Sequence, residues 1–358
     1  MSSSDWKQLA DPAALAAWMD GQGLGRGPIE DAAQLTGGTQ NLLLKFRRGE
    51  RWYVLRRPPL HPGSNGDEAM RREARVLRAL ASTPVPHPGL IAACDDAGVL
   101  GAAFYLMEPV DGFTPIGELP AVTREPAYQH GIGLEMVSAI AALAQVDVQA
   151  AGLQGLGKLD GYLERQAPRW RGMLEKYAAY DGWPGAGGLP HVEAVARWLS
   201  ANVPASFEPG LVHGDFHMGN VMFHPRRCEL IAVVDWELAT VGDPLIDLGW
   251  LLATWPSPEG DGLPRLRTTP WTHFAQAGEL IAHYAARSGR SLESLQWYMV
   301  LSCYKLGIIL EGTHARACAG KADAAEGESL HRSAVWLLER ARQFIESNPV
   351  TNMQGTTV

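Results

Sequence analysis

Residues 211–223, Leu-Val-His-Gly-Asp-Phe-His-Met-Gly-Asn-Val-Met-Phe, concentrate polar side chains between two short apolar runs. The positions able to do chemistry are His213, Asp215, His217 and Asn220. Histidine and carboxylate groups bind metals and exchange protons, and an asparagine amide offers an oxygen donor. Three interpretations follow: a metal cage, a loop that handles phosphate, or a polar turn between two strands.

The metal cage depends on the alternation of His213, Asp215 and His217, which resembles loops of metal-dependent phosphoesterases and hydrolases. Such sites need further ligands. The later histidines form no His-x-His pair and no Asn-His-Glu run. The sequence therefore disfavours a metallohydrolase but leaves this interpretation open. The polar turn also stays open, because Asp, Asn and Gly favour loops.

A second carboxylate favours phosphate chemistry. Asp235 follows the apolar run at 231–234, fifteen residues after Asn220. The order His-x-Asp-x-x-x-x-Asn, strand, turn, strand, Asp is that of the catalytic and metal-binding loops of kinases. Asn220 and Asp235 offer the oxygen ligands that Mg²⁺ prefers, and Asp215 can accept a hydrogen bond from a substrate hydroxyl.

The elements that must position these residues form two groups. Residues 1–110 are predicted to form a small sheet with few helices. The predicted strands lie at 42–46, 52–56 and 104–107, and the predicted helices at 11–24 and 68–80. Beyond Pro126 the 3.6-residue period predicts helices at 130–147, 163–180, 192–203, 245–254, 271–288, 292–317 and 329–347.

One β-hairpin is predicted to interrupt these helices, with strands at 221–223 and 230–234 that connect Asn220 to Asp235. Two Gly- and Pro-rich stretches, 181–190 and 256–270, indicate functional or mobile segments. Residues 348–358 are predicted to be a disordered tail.

Composition narrows the class of protein. The 358 residues carry a net charge of −8, and residues 1–110 hold 12 basic and 12 acidic residues, so the whole excess lies later in the chain. An acidic body without a basic stripe argues against a nucleic-acid partner. The four cysteines show no paired spacing and no apolar run reaches membrane-spanning length, which predicts a cytoplasmic protein without membrane association.

The segments 213–220 and 234–249 resemble the aminoglycoside phosphotransferase/choline kinase superfamily. The Asp-Trp-Glu and Gly-Asp-Pro-Leu-x-Asp-Leu-Gly motifs are most similar to the branch found fused to, or encoded beside, acyl-CoA dehydrogenases. The resemblance implies an α+β, bilobal protein-kinase-like fold. Residues 1–107 would form a nucleotide-binding lobe with the small sheet, and residues 108–347 a larger, mainly helical lobe for catalysis and acceptor binding.

The same resemblance implies ATP and Mg²⁺ as cofactors and assigns further site residues. Asp215 would be the catalytic carboxylate, with Asn220 and Asp235 as metal ligands. The nucleotide would be bound by a glycine-rich turn and by the hinge between the lobes. An arginine would bind the phosphates in place of the usual lysine, and an acidic residue would hold this arginine. These are Gly37, Gly38 and Thr39 in the turn, Arg56, Glu73, and Met107, Glu108 and Val110 in the hinge.

The resemblance also implies that the acceptor is a hydroxyl of a small molecule, and two candidates stay open. A hydroxyacyl-CoA agrees with the motif and would need a basic patch, for which the sequence offers Arg265, Arg267, Arg287, Arg290 and Arg316. An aminoglycoside is polycationic and agrees with the acidic later part of the chain. A nucleotide-binding pseudokinase is the alternative of another class, although Asp215, Asn220 and Asp235 are all present. The sequence predicts no oligomeric state.

Overall fold

The computed structural model describes residues 6–35, 41–59 and 66–347. Its first part combines short helices with a five-stranded sheet. The elements are α1 (Trp6–Leu9), α2 (Pro12–Gly21), β1 (Glu30–Gln34), β2 (Leu42–Arg48), β3 (Arg51–Arg57), α3 (Gly66–Leu80), β4 (Leu90–Cys94), α4 (Ala97–Leu100) and β5 (Phe104–Met107). The predicted strands β2, β3 and β5 and the predicted helices α2 and α3 are confirmed.

The sheet has the order β1-β2-β3-β5-β4, and every neighbouring pair is antiparallel. One face packs on Leu15 and Met19 of α2 through buried side chains such as Phe46 and Leu55. The amphipathic helix α3 packs in a second hydrophobic core. It contributes Met70 to this core, which also contains buried residues of the later helices. Strands β1 and β4 were not predicted, because neither shows the alternation of buried and partly buried residues that β2 shows.

The later part is mainly helical. Its elements are β6 (Gly117–Glu118), α5 (Pro126–Ala144), α6 (Gln166–Lys176), α7 (Val192–Ala201), β7 (Gly210–Val212), β8 (Val221–Phe223), β9 (Leu230–Val233), β10 (Thr240–Gly242), α8 (Leu245–Thr254), β11 (Thr268–Thr269), α9 (Ala277–Ser288), α10 (Leu295–Cys318) and α11 (Ala324–Glu346). All seven predicted helices are present. None of the helices in the described ranges is long and apolar enough to cross a bilayer.

The predicted hairpin is confirmed, with β8 and β9 paired antiparallel. The expectation that it alone interrupts the helices was wrong, because β7 pairs with β10 and β6 with β11. These strands have two or three residues each, too few for a period-2 pattern to register. Helix α9 begins at Ala277 rather than at the predicted residue 271. A capping box between Gln276 and Glu279 marks this observed start.

The two irregular stretches contain only short elements. A single 3-10 turn, Ala186–Gly188, lies in 181–190, and Pro264–Leu266 lies in 256–270, where β11 also falls. The predicted tail at 348–358 lies outside the described residues. The sheet ends with β5 at Met107, and the division into lobes at 107 and 108 stays a prediction.

Candidate active site

The polar segment after β7 is a tight loop that depends on one glycine. Gly214 has a φ of +88°, and a Cβ at this position would lie 2.7 Å from the carbonyl oxygen of Leu238. A side chain would therefore be both strained and in collision with backbone. The loop ends in the 3-10 turn Met218–Asn220, which leads directly into β8.

A buried carboxylate on α8 holds this loop from behind. The backbone N–H groups of His213 and Gly214 donate to Asp247 Oδ2 and Oδ1, at 2.7 and 2.8 Å. His213 lies between two backbone groups: its Nε2 is 3.0 Å from the Val234 carbonyl oxygen, and its Nδ1 accepts from the Asp215 N–H at 3.2 Å. Both ring nitrogens of His213 are engaged, so this residue is not available to the metal cage considered from sequence.

Asp215 lies at the front of the loop. The Asn220 Nδ2 group donates to the Asp215 carbonyl at 2.9 Å and to its carboxylate Oδ2 at 3.0 Å. His217 Nε2 lies 3.4 Å from the other carboxylate oxygen. Burial acts to raise the pKa of Asp215, but His217, His213 and Lys305 outweigh it and hold this pKa well below its usual range. The carboxylate is therefore ionised at neutral pH.

Asp235 is brought beside Asn220 by the hairpin. The Val234 N–H donates to the Asn220 carbonyl oxygen at 2.9 Å, just before Asp235. Asp235 itself has a φ of +67°, a left-handed conformation that is uncommon for a residue with a side chain. Its carboxylate Oδ1 accepts a hydrogen bond from Arg56 Nη2 at 2.7 Å. The three sequence-predicted residues Asp215, Asn220 and Asp235 therefore lie together.

Arg56 connects the sheet to this cleft. Its Nε lies 2.9 Å from Glu73 Oε2 on α3, and the Tyr105 hydroxyl donates to the same oxygen at 2.9 Å. Glu237 lies 4.0 Å from Arg56 and accepts a hydrogen bond from Asn41 at 3.2 Å. Burial raises the pKa of Glu73, against the opposing effects of Arg56 and Tyr105. Sequence reasoning missed Tyr105, whose partner is 32 residues away.

The remaining predicted nucleotide residues divide by what the structure describes. Gly37, Gly38 and Thr39 lie outside the described residues. Met107 ends β5, and the Glu108 N–H is engaged by the Gly89 carbonyl oxygen at 2.8 Å. The Glu108 side chain is exposed and lies 3.1 Å from Arg51. The Val110 N–H donates to no other described residue.

Lys305 is a second residue that sequence reasoning missed. Its Nζ donates to the Gly214 carbonyl oxygen at 3.1 Å and lies 4.3 Å from the ring centroid of Trp250. Burial lowers the pKa of this amine to about 8, although Asp215 and Asp247 act to raise it. The available signal was that Lys305 is the single charged residue between Leu295 and Leu310.

A cavity of about 2050 Å³ adjoins the loop at Gly214 and Lys305. Seven basic side chains line it, against four acidic ones. The basic ones are Arg72, Lys158, Arg165, Arg169, Arg265, Lys305 and Arg316, and the acidic ones are Glu68, Glu164, Glu237 and Glu326. Arg265 and Arg316 were among the five arginines proposed from sequence; Arg267, Arg287 and Arg290 do not line this cavity.

The donor set in the cleft suits a hard divalent cation. The Asn220 amide nitrogen is engaged by Asp215, and within the described part of the chain the Asn220 side-chain oxygen has no hydrogen-bond partner. Asp235 contributes a carboxylate about one-third exposed. Oxygen donors of this kind fit Mg²⁺, which binds one or two protein oxygens and keeps the rest of its shell for water and phosphate.

Comparison with known proteins agrees with this geometry. The family model "Phosphotransferase enzyme family" matches residues 31–298. Acyl-CoA dehydrogenase family member 11 from Pongo abelii is 32% identical over 334 residues, which cover 87% of this chain and 40% of the relative. The chain spans less than half of the length of the curated relatives to which it is similar.

Two solved structures show the same fold. One, provisionally assigned as an aminoglycoside phosphotransferase from Ralstonia eutropha JMP134, is 30% identical with a TM-score of 0.79, and the match covers 93% of this chain and 98% of that one. The other is a thermostable mutant of aminoglycoside phosphotransferase APH(4)-Ia in a ternary complex with AMP-PNP and hygromycin B. It is 17% identical with a TM-score of 0.57, covering 94% of this chain and 99% of that one. The predicted bilobal kinase-like fold is confirmed.

Proposed function

The chain belongs to the phosphotransferase enzyme family, and from that premise we propose that it transfers the γ-phosphoryl group of Mg-ATP to a hydroxyl of a small molecule. The observation that carries the proposal is the convergence of Asp215, Asn220 and Asp235 in one cleft beside Arg56. The AMP-PNP bound in the APH(4)-Ia complex, which has the same fold, supports a nucleotide donor.

In this proposal the two carboxylates have separate tasks. Asp215 accepts a hydrogen bond from the acceptor hydroxyl and orients its oxygen toward the γ-phosphorus. The new bond joins that oxygen to phosphorus, the bond to the β–γ bridging oxygen breaks, ADP leaves, and the hydroxyl proton passes to Asp215. Asn220 and Asp235 would hold Mg²⁺, which supplies charge neutralisation for the phosphates when bound.

Arg56 acts as the phosphate grip of this site. Its guanidinium lies between Glu73 and Asp235, at 2.9 and 2.7 Å. A nucleotide phosphate would compete with Asp235 for Arg56, while Glu73 and Tyr105 keep the side chain in place. Binding of the adenine would fall to the hinge at Met107, Glu108 and Val110, and the glycine-rich turn at Gly37, Gly38 and Thr39 would approach the phosphates.

For the acceptor we propose an anionic hydroxy compound of the hydroxyacyl-CoA type. The cavity beside Asp215 has three more basic than acidic lining residues, and its volume exceeds that of ordinary small-ligand pockets, which measure about 300–1000 Å³. A polycation such as an aminoglycoside would meet unfavourable charge there. The similarity to acyl-CoA dehydrogenase family members supports the same acceptor class.

The test is ADP release by the purified protein with Mg-ATP and one of three additions: a 4-hydroxyacyl-CoA, kanamycin, or no acceptor. Asp215→Asn serves as the blank. We expect release with the CoA ester that disappears in the variant. Release with kanamycin alone would overturn the acceptor assignment but keep the reaction class.

Two other outcomes would overturn phosphotransfer itself. Stabilisation by Mg-ATP with no ADP release, across a panel of hydroxyl acceptors, would indicate a nucleotide-binding pseudokinase. Hydrolysis of phosphoesters that requires Mn²⁺ or Zn²⁺ and no nucleotide would indicate a metallohydrolase.

A further inference from the structure

A second cluster of chemically reactive side chains lies where α10 packs on α11. Glu311, His314 and Cys318 follow one another along α10 at spacings of three and four residues, so they share one helix face. His331 reaches them from α11. The ligand atoms of Glu311, His314 and His331 all lie within 4.8 Å of one another. None of these four residues contributes to the proposed phosphotransfer.

Glu311 orients His331. The carboxylate is 1% exposed, and it accepts from the Trp183 indole N–H at 2.7 Å on one oxygen. Its other oxygen lies 2.7 Å from His331 Nδ1. Because an ionised carboxylate only accepts hydrogen bonds, Nδ1 carries the proton, and Nε2 of the neutral ring keeps its lone pair. A carboxylate behind a histidine is the usual arrangement around metal-binding imidazoles.

His314 and Cys318 are spaced as a chelating pair. His314 Nε2 lies 3.6 Å from Cys318 Sγ. Tetrahedral Zn²⁺ with bonds of about 2.0–2.1 Å to nitrogen and 2.3 Å to sulfur separates two such ligands by about 3.5 Å. The separation of these two atoms therefore already suits a shared metal ion. The rings of His314 and His331 lie 4.5 Å apart between centroids, tilted by 32°, so the imidazole of His331 lies next to this pair.

We propose that His314, Cys318 and His331 form a Zn²⁺ site, with Glu311 as the carboxylate that orients His331. Two imidazoles and a thiolate are the nitrogen and sulfur donors that a borderline-soft divalent cation selects. His331 is about one-fifth exposed, which gives solvent access to the fourth coordination position. The site joins α10 to α11 and, through Trp183, to the irregular segment 181–190.

The test measures zinc directly and needs no activity assay. Protein prepared without a histidine tag is analysed for metal content, then stripped with a chelator and titrated with Zn²⁺ or Co²⁺. We expect one zinc per chain, a melting temperature that falls on stripping and recovers with Zn²⁺, and a thiolate-to-cobalt charge-transfer band. Cys318→Ser should abolish that band, and His314→Gln should weaken metal affinity by about 10- to 100-fold or more.

His130→Gln is the matched control, because His130 also pairs with a glutamate, Glu279 at 2.9 Å. This control should keep wild-type zinc content and affinity. Cys228→Ser controls for the loss of a thiol elsewhere in the chain. Wild-type protein without zinc, whose melting temperature responds to added Zn²⁺ no more than that of His314→Gln, would overturn the proposal.

Discussion

Two carboxylates in one cleft have different surroundings, and this difference separates their roles. Asp215 is hydrogen-bonded by the Asn220 amide, and its pKa is depressed because His217, His213 and Lys305 outweigh the effect of burial. Asp235 faces Arg56 and carries a left-handed backbone. A weak but well-oriented base suits phosphoryl transfer, in which positioning matters more than base strength. In the proposed reaction, Asp235, which lies next to Arg56, suits the metal.

Substitution of each carboxylate should therefore affect a different step. Asp215→Asn is expected to lower kcat by about 10²- to 10⁴-fold while Mg-nucleotide affinity stays within about twofold. Asp235→Asn is expected to weaken Mg-nucleotide binding by about tenfold or more. Calorimetric titration with Mg-AMP-PNP separates the two effects. Equal losses of nucleotide affinity in both variants would contradict the assignment.

Lys305 should make kcat fall at alkaline pH. A lysine is charged below its pKa and neutral above it, and burial sets this pKa at about 8. As the pH rises through this value, the Gly214 carbonyl and Asp215 lose a neighbouring cation, so kcat should fall. Lys305→Met should lower kcat at pH 7 by about tenfold and flatten the profile above pH 7. The control Lys321→Met, at an exposed lysine, should keep the wild-type dependence of kcat on pH. If the wild type and both variants show the same dependence of kcat on pH, Lys305 does not support the reaction in this way.

At the scale of elements, the catalytic loop is held by the start of helix α8. Asp247 lies in the first turn of this helix and accepts two backbone N–H groups from the loop. Asp243, just before the helix, accepts from the Leu245 N–H and from the Tyr298 hydroxyl. What both aspartates stabilise is the loop geometry that aims Asp215.

Asp247→Asn should loosen this loop. An amide can face only one of the two donors with oxygen, so its NH₂ group would meet the other N–H in a buried site. We expect a loss of about 2–4 kcal/mol in the free energy of unfolding, together with a lower kcat. Denaturant unfolding measures the first effect. Asp95→Asn, at an exposed position, should change stability by less than about 0.5 kcal/mol; a similar result at Asp247 would contradict the bracing role.

At the scale of the whole molecule, net charge and local charge have opposite signs. The chain carries −8 overall, yet the cavity beside the catalytic loop has more basic than acidic lining residues. Fields in a concave site follow the residues that line it more than the sum over the surface. The overall charge, which favoured a cationic acceptor, therefore does not describe the charge around this cavity.

Substitutions of two exposed arginines can distinguish the effect of local charge from that of overall charge. Arg316 lines the cavity, whereas Arg287 does not. Arg316→Gln should raise the KM for a hydroxyacyl-CoA about fivefold, which corresponds to the loss of roughly 1 kcal/mol from one charged contact, and should leave the KM for ATP unchanged. Arg287→Gln removes the same net charge and should leave both constants unchanged. Equal effects of the two substitutions on the KM for the CoA ester would mean that overall charge governs binding.

The sequence by itself determined the hairpin of β8 and β9, the helices of the later part and the proximity of Asp215, Asn220 and Asp235. These depend on local periodicity and on turns of a few residues, so neighbours in the chain stay neighbours in space. Only the tertiary structure decided that Arg56 meets Asp235, 179 residues away, and that Lys305 meets Gly214, 91 residues away. Such contacts arise when separate elements bury their apolar faces together, and no spacing within one segment encodes which polar groups that packing will bring into contact.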